Sequence, residues 1–193
     1  LGFRQSGEWQ PYHHLGREVF LAPVSWQEDG WFTAGEQGIV TEWMDVDLSG
    51  QQDMDMYQVS FENTGADDLR WSYLRDYYKE NYQFTDRGLK LKGTKITLDE
   101  ADTPTFAGIR QSEFHTCLNV SVSGEAKEAG ITFYMDESQH YDLSLVQEKG
   151  ERKAVLRLRI GDAACIANTV DLPEGMEKVE FSVVSDPDRY EFY

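Results

Sequence analysis

The sequence predicts an all-β protein built as an antiparallel β-sandwich. Many short stretches alternate apolar and polar residues, turn residues separate those stretches at regular spacing, and few segments carry a helical period. Alternation with period two marks strands that bury one face, and a succession of such strands joined by turns is the signature of a sandwich.

Taken in order, residues 1–36 hold Trp9, Trp26 and Trp31, the adjacent His13 and His14, and two of the five prolines. The apolar run Val19–Val24 reads as a short buried strand, and Glu28-Asp29-Gly30-Trp31 as a turn. A stretch this short builds no core of its own and must pack on something else. Residues 37–54 are polar and Asp-rich and read as a linker. From residue 55 period two takes over, and residues 55–193 read as the sandwich domain. Met56, Gln58, Ser60 and Glu62 alternate with Tyr57, Val59 and Phe61. Further alternating stretches are Leu89–Lys92, Phe114–Val122, Ile131–Met135, Tyr141–Leu145, Val155–Ile160 and Val179–Val183. Turn signals lie between them at Asp86-Arg87-Gly88, Ser123-Gly124, Asp136-Glu137-Ser138, Lys149-Gly150-Glu151 and Gly161-Asp162. Ala66–Tyr73 has no clean helical period and is expected to be irregular. The last residues, Asp188–Tyr193, alternate like a strand, and the chain stops inside it, as a truncated sandwich would.

Composition excludes several functions. Among 193 residues, 35 acidic side chains against 18 basic ones leave a net charge of −17, which repels phosphate backbones and argues against nucleic acid as a partner. No apolar run approaches the roughly 18 residues that span a bilayer, so no membrane partner is expected. The start, Leu1-Gly2-Phe3-Arg4, has neither an initiating Met nor the pattern of a signal peptide, and reads as the beginning of a fragment. Cys117 and Cys165 sit in apolar or alternating runs and read as two buried free thiols, with a single disulfide as the alternative. Neither belongs to a zinc-binding motif.

Three features carry candidate chemistry. Trp71, Tyr73, Tyr77, Tyr78 and Tyr82 form an aromatic cluster that either stacks on sugar rings or packs a sheet. Asp45/Asp47, Asp53/Asp55 and Asp99/Glu100/Asp102 offer hard oxygen ligands for a structural Ca²⁺, or simply a solvated acidic face. Arg157 and Arg159 alternate with Leu156 and Leu158, as on the solvent side of a strand.

Four segments, in order, resemble the C-terminal region of glycoside hydrolase family 43, the β-xylosidase and α-L-arabinofuranosidase group. The first is His14-Leu15-Gly16-Arg17-Glu18-Val19-Phe20-Leu21-Ala22-Pro23-Val24 with Trp26 and Asp29-Gly30-Trp31. It looks like the last strand of that family's five-bladed catalytic propeller, with Val19 where Thr is usual. The others are Trp71–Arg75 with Gly88–Gly93, then Pro104–Gln111, then Glu128–Tyr134 with His140–Leu143. These look like the concanavalin A-like jelly-roll sandwich appended to the propeller.

The resemblance implies that residues 1–36 are a propeller remnant and that the sandwich supports the propeller and shapes its active-site entrance. It implies inverting hydrolysis by two propeller carboxylates set about 6.5–9.5 Å apart. Those carboxylates are expected upstream of Leu1, so no catalytic residue is assigned in this chain. A pocket-closing Phe loop is expected beyond Tyr193. Arg17 is expected in the sugar pocket of the intact parent, because a guanidinium stays charged and donates in a fork. His14 and His13 are weaker candidates for the same pocket. No organic cofactor is implied. The implied partners are a xylo-oligosaccharide or arabinosyl glycan, the parent's own propeller, and a second copy through exposed strand edges. The alternative reading is a carbohydrate-binding module that holds glycan through exposed aromatics.

Overall fold

A computed structural model describes residue 12, residues 14–41, 44–45 and 64–193. The chain divides into two compact units, Leu1–Gln58 and Val59–Tyr193. The alternating stretch expected at residues 56–62 lies outside the described residues, as does His13.

In the first unit, β1 (Val24–Trp26) and β2 (Phe32–Ala34) form an antiparallel hairpin. The expected turn joins them. Gly30 takes φ 86°, its amide donates to the Gln27 carbonyl, and Asp29 Oδ1 accepts the Trp31 amide at 3.1 Å. The buried strand expected over Val19–Val24 is not found. Extended pairing begins only at Val24, and Val19 and Leu21 are 85% and 68% exposed. An apolar run is buried only where a partner surface covers it, and the described residues supply none here.

In the second unit, β3 (Trp71–Ser72) pairs with β6 (Gly108–Ile109), and β4 (Tyr82–Thr85) with β5 (Gly88–Leu91). The expected irregular segment 66–70 is a pair of turns, followed by the short strand β3. Among the described residues the one helical turn is a single 3₁₀ turn, Lys79–Asn81.

Two larger sheets follow. One has the order β11-β10-β9-β8, from β8 (Glu128–Asp136), β9 (Gln139–Glu148), β10 (Glu151–Ile160) and β11 (Ala163–Asp171). The other is β13-β12-β7, from β7 (Thr116–Ser123), β12 (Lys178–Ser185) and β13 (Tyr190–Phe192). Every pairing is antiparallel. The β9–β10 link is a two-residue turn, Lys149-Gly150, with φ of 52° and 88°, the left-handed pair that a tight hairpin needs.

Register builds the core. Ile131, Leu143 and Leu156 stand side by side across three strands, as do Ala129, Leu145 and Ala154. They face Val122, Val179, Phe181 and Phe192 of the other sheet, and Leu143, Leu145 and Phe181 are buried at the centre. Each such side chain contributes about 1.5–3 kcal/mol on burial. Val183, opposite Leu118 and Phe192, is wholly inaccessible. The terminal strand read from Asp188–Tyr193 is present and paired on one side with β12. The cysteines depart from expectation: Cys117 and Cys165 are free but exposed. Each lies on an outer strand of its sheet, β7 or β11, where alternation does not bring burial.

Candidate functional site

The same register gathers polar side chains on the other face of the four-stranded sheet. Opposite the core face, Thr132, Asp142 and Arg157 line up across β8, β9 and β10, with Tyr134, His140 and Arg159 beside them. Sequence reading places Arg157 and Arg159 in solvent. In the structure their side chains are only 31% and 25% exposed, and His140, Asp142 and Ser144 are buried.

The cover is the segment between β5 and β6. Thr103 and Pro104 within it are buried. It is pinned along its length. The Thr105 hydroxyl donates to the Lys92 carbonyl at 2.7 Å. Arg75 donates to the Asp102 carbonyl and reaches Glu137 at 3.3 Å. Phe106 packs on Tyr134 with ring centroids 5.7 Å apart. The Tyr82 hydroxyl donates to the Phe106 carbonyl and accepts its amide.

At the centre, His140 Nδ1 lies 3.0 Å from both carboxylate oxygens of Asp142. An ionised carboxylate only accepts, so Nδ1 carries the proton between them. Nε2 sits 3.3 Å from Asp99 Oδ1 of the covering segment, at ion-pair distance but out of hydrogen-bond alignment. Tyr134 stacks on the imidazole. Arg159 Nε stands 3.7 Å from the same Asp99 oxygen. Arg157 donates to Glu128 at 2.7 Å, and that bond raises its pKa further. Burial raises the Tyr134 hydroxyl, so it stays protonated and uncharged.

This arrangement holds a segment against a sheet. Inverting hydrolysis needs an acid and a base aimed at one bond from opposite sides. Here Asp99 and Asp142 both face one imidazole, and Glu128 is taken by a guanidinium.

The acidic trio offered for Ca²⁺ does not converge. Asp99 turns to His140, Glu100 accepts the Thr97 amide and hydroxyl, and Asp102 accepts the Thr103 amide. Among the described residues no three His, Cys, Asp or Glu side chains gather to hold a metal. Asp45 is exposed, and Asp47, Asp53 and Asp55 lie outside the described residues.

The aromatic cluster packs largely on itself. Tyr73, Tyr77 and Tyr82 stand 4.4–5.1 Å apart by ring centroid, and Trp71 meets Phe84 edge-on. Only Tyr78 of the five is exposed. In the first unit, Arg17 is exposed, and the half-buried His14 meets Tyr12 edge-on at 6.1 Å.

The buried His140–Asp142 pair was not singled out from sequence. Its signal was there: short polar residues at 140, 142 and 144 on one side of a central strand, where long charged groups would mark a wet face.

Two antiparallel sheets packed on one core, with a polar face under a covering segment, define a β-sandwich. Residues 58–193 match the family model of the β-xylosidase C-terminal concanavalin A-like domain of glycoside hydrolase family 43, and the chain belongs to that family. It is 32% identical over 198 residues to a non-reducing end α-L-arabinofuranosidase, BoGH43B, of Bacteroides ovatus, covering 94% of this chain and 35% of that protein. A xylosidase/arabinosidase of Butyrivibrio fibrisolvens is 28% identical over 76% of this chain and 29% of its own length. The chain thus spans about a third of the length of the curated relatives it matches. Among solved structures, the Bacteroides ovatus xyloglucan-locus GH43B superposes with a TM-score of 0.77 at 32% identity, covering 94% of this chain and 37% of that one. GH43 BlXynB of Bacillus licheniformis gives 0.81 at 18% identity over 94% of this chain and 36% of that one, a likeness of fold.

Proposed function

We propose that this chain is the non-catalytic C-terminal part of a family-43 glycosidase of β-xylosidase or α-L-arabinofuranosidase type, acting in hemicellulose breakdown. Residues 1–36 are then the end of the catalytic propeller, 37–54 the linker and 55–193 the sandwich. The sandwich buttresses the propeller and shapes the entrance through which a xylo-oligosaccharide or arabinosyl side chain arrives. Catalysis belongs to two carboxylates carried by the propeller. Arg17 reaches the sugar in the intact parent, with His14 beside it.

The observation that supports the scaffold role is the sealed polar face: Asp99, Asp142 and Glu128 are held by His140, Arg159 and Arg157 rather than presented to a ligand. The self-packed tyrosines support it too, since rings that stack on one another leave no platform for a sugar. Titrating xylobiose into the purified chain tests the reading. The scaffold role predicts no saturable binding at the aromatic cluster. Saturable binding lost on Tyr78→Ala would establish the binding-module alternative instead.

A further inference from the structure

The far end of the four-stranded sheet carries a different feature. The turn after β7 and the β9–β10 turn enclose a shallow depression of about 530 Å³, lined by Glu125, Lys127, Gln147, Lys149, Gly150 and Arg152. That size falls within the range of small-ligand sites, about 300–1,000 Å³.

Its charge is opposite to that of the chain. Arg70, Arg75, Lys153, Arg157, Arg159, Lys178 and Arg189 each meet a carboxylate. Among the described residues, Lys127, Lys149 and Arg152 form no such pair, as is also true of Lys79, Arg87, Lys90, Lys92 and Lys95, but here three cations line one depression with a single carboxylate, Glu125, in a chain that carries −17. Arg152 is tied instead to main-chain carbonyls. It donates to Gly124 at 3.0 Å and to Met176 at 3.0 Å, so its charge is fixed in place without being neutralised by an anion. The backbone around it is rigid as well: the Gln147 amide donates to the Lys127 carbonyl at 2.8 Å, and Lys149-Gly150 is a tight left-handed turn.

Three cations against the one carboxylate of Glu125 call for an anion, and the chain's net charge of −17 favours one of low charge, because repulsion grows with the ligand's charge. Gln147 and Glu125 supply an amide and a carboxylate, partners for hydroxyl groups. A negative group combined with hydroxyls is the chemistry of a sugar acid. We propose that this depression binds a uronate: Lys127 and Lys149 take its carboxylate over the fixed Arg152 guanidinium, and Gln147 and Glu125 take ring hydroxyls. The site uses no aromatic stacking.

The test is an amide NMR titration of the 193-residue chain with glucuronate, glucose and inorganic phosphate in parallel. Glucuronate should give saturating shifts confined to residues near 124–127 and 147–152, and glucose none there. The K127A/K149A variant should bind glucuronate about tenfold more weakly, because it lacks two exposed charge contacts. Its amide spectrum should otherwise match the parent's. Four results would overturn the assignment: no saturation with glucuronate, equal shifts with glucose, equal shifts with phosphate, or undiminished affinity in the double variant.

Discussion

His140 and Asp142 stand two residues apart on β9 and meet on its covered face, Nδ1 lying 3.0 Å from each carboxylate oxygen. Both side chains are almost inaccessible, at 1% and 7%. Removing the acceptor strands a buried imidazole donor. Asp142→Ala should therefore lower unfolding free energy by about 2–4 kcal/mol, read as a lower urea midpoint at unchanged slope.

The contact from His140 to Asp99 ties the sheet to the segment that covers it, and Arg159 reaches the same oxygen. Asp99→Asn should raise hydrogen exchange at amides of residues 95–104 while leaving those of β9 and β10 protected. Local opening is the expected outcome because Asp99 is half exposed and His140 remains bonded to Asp142.

Core and edge positions should differ sharply. Phe181→Ala, at the centre of the two-sheet core, should cost about 3–5 kcal/mol. Ile166→Ala, on the exposed strand β11, should change stability by no more than about 0.5 kcal/mol. Chemical denaturation of the pair gives the comparison.

Gly130 is required by close approach. A Cβ there would lie 2.2 Å from the Leu143 carbonyl oxygen and 2.7 Å from Ser144 Cα, both main-chain atoms of the neighbouring strand. Gly130→Ala should force β8 and β9 apart, cost about 1–3 kcal/mol or more, and weaken protection of the amides between them.

The Asp68 carboxyl accepts the side chain and the amide of Arg70, and the guanidinium bond holds its pKa at about 2, below the usual 3.8. The folded value is depressed, so the contribution of this clasp is fully present above 3.8 and is lost as pH falls toward 2. Carboxyl-carbon NMR should give a midpoint near 2, returning toward 3.8 in Arg70→Ala.

Much of this fold is legible because sandwich strands announce themselves locally. Leu143 and Leu145 alternate, turns such as Gly161-Asp162 fall between strands, and the two-sheet core follows. What alternation does not report is what covers a face. Arg157 and Arg159 have the pattern of a solvent face, and only a distant, pattern-free segment carrying Asp99 makes them part of a sealed cluster. Edges are hidden for the same reason. Nothing local in the strand of Cys165 says that no neighbour lies beyond it, and so its thiol is exposed rather than buried. Val19 and Leu21 make the converse case: their apolarity expects a surface that the described residues do not provide.

In the proposed function these residues serve as scaffold rather than catalyst, and a hydrolysis assay addresses that role most directly. The purified 193-residue chain is incubated with p-nitrophenyl β-xyloside and p-nitrophenyl α-L-arabinofuranoside. The predicted result is release of nitrophenol at the rate of buffer alone. Saturable turnover that disappears in Asp99→Asn or Asp142→Asn would contradict it, because it would place the bond-cleaving acids within the sandwich.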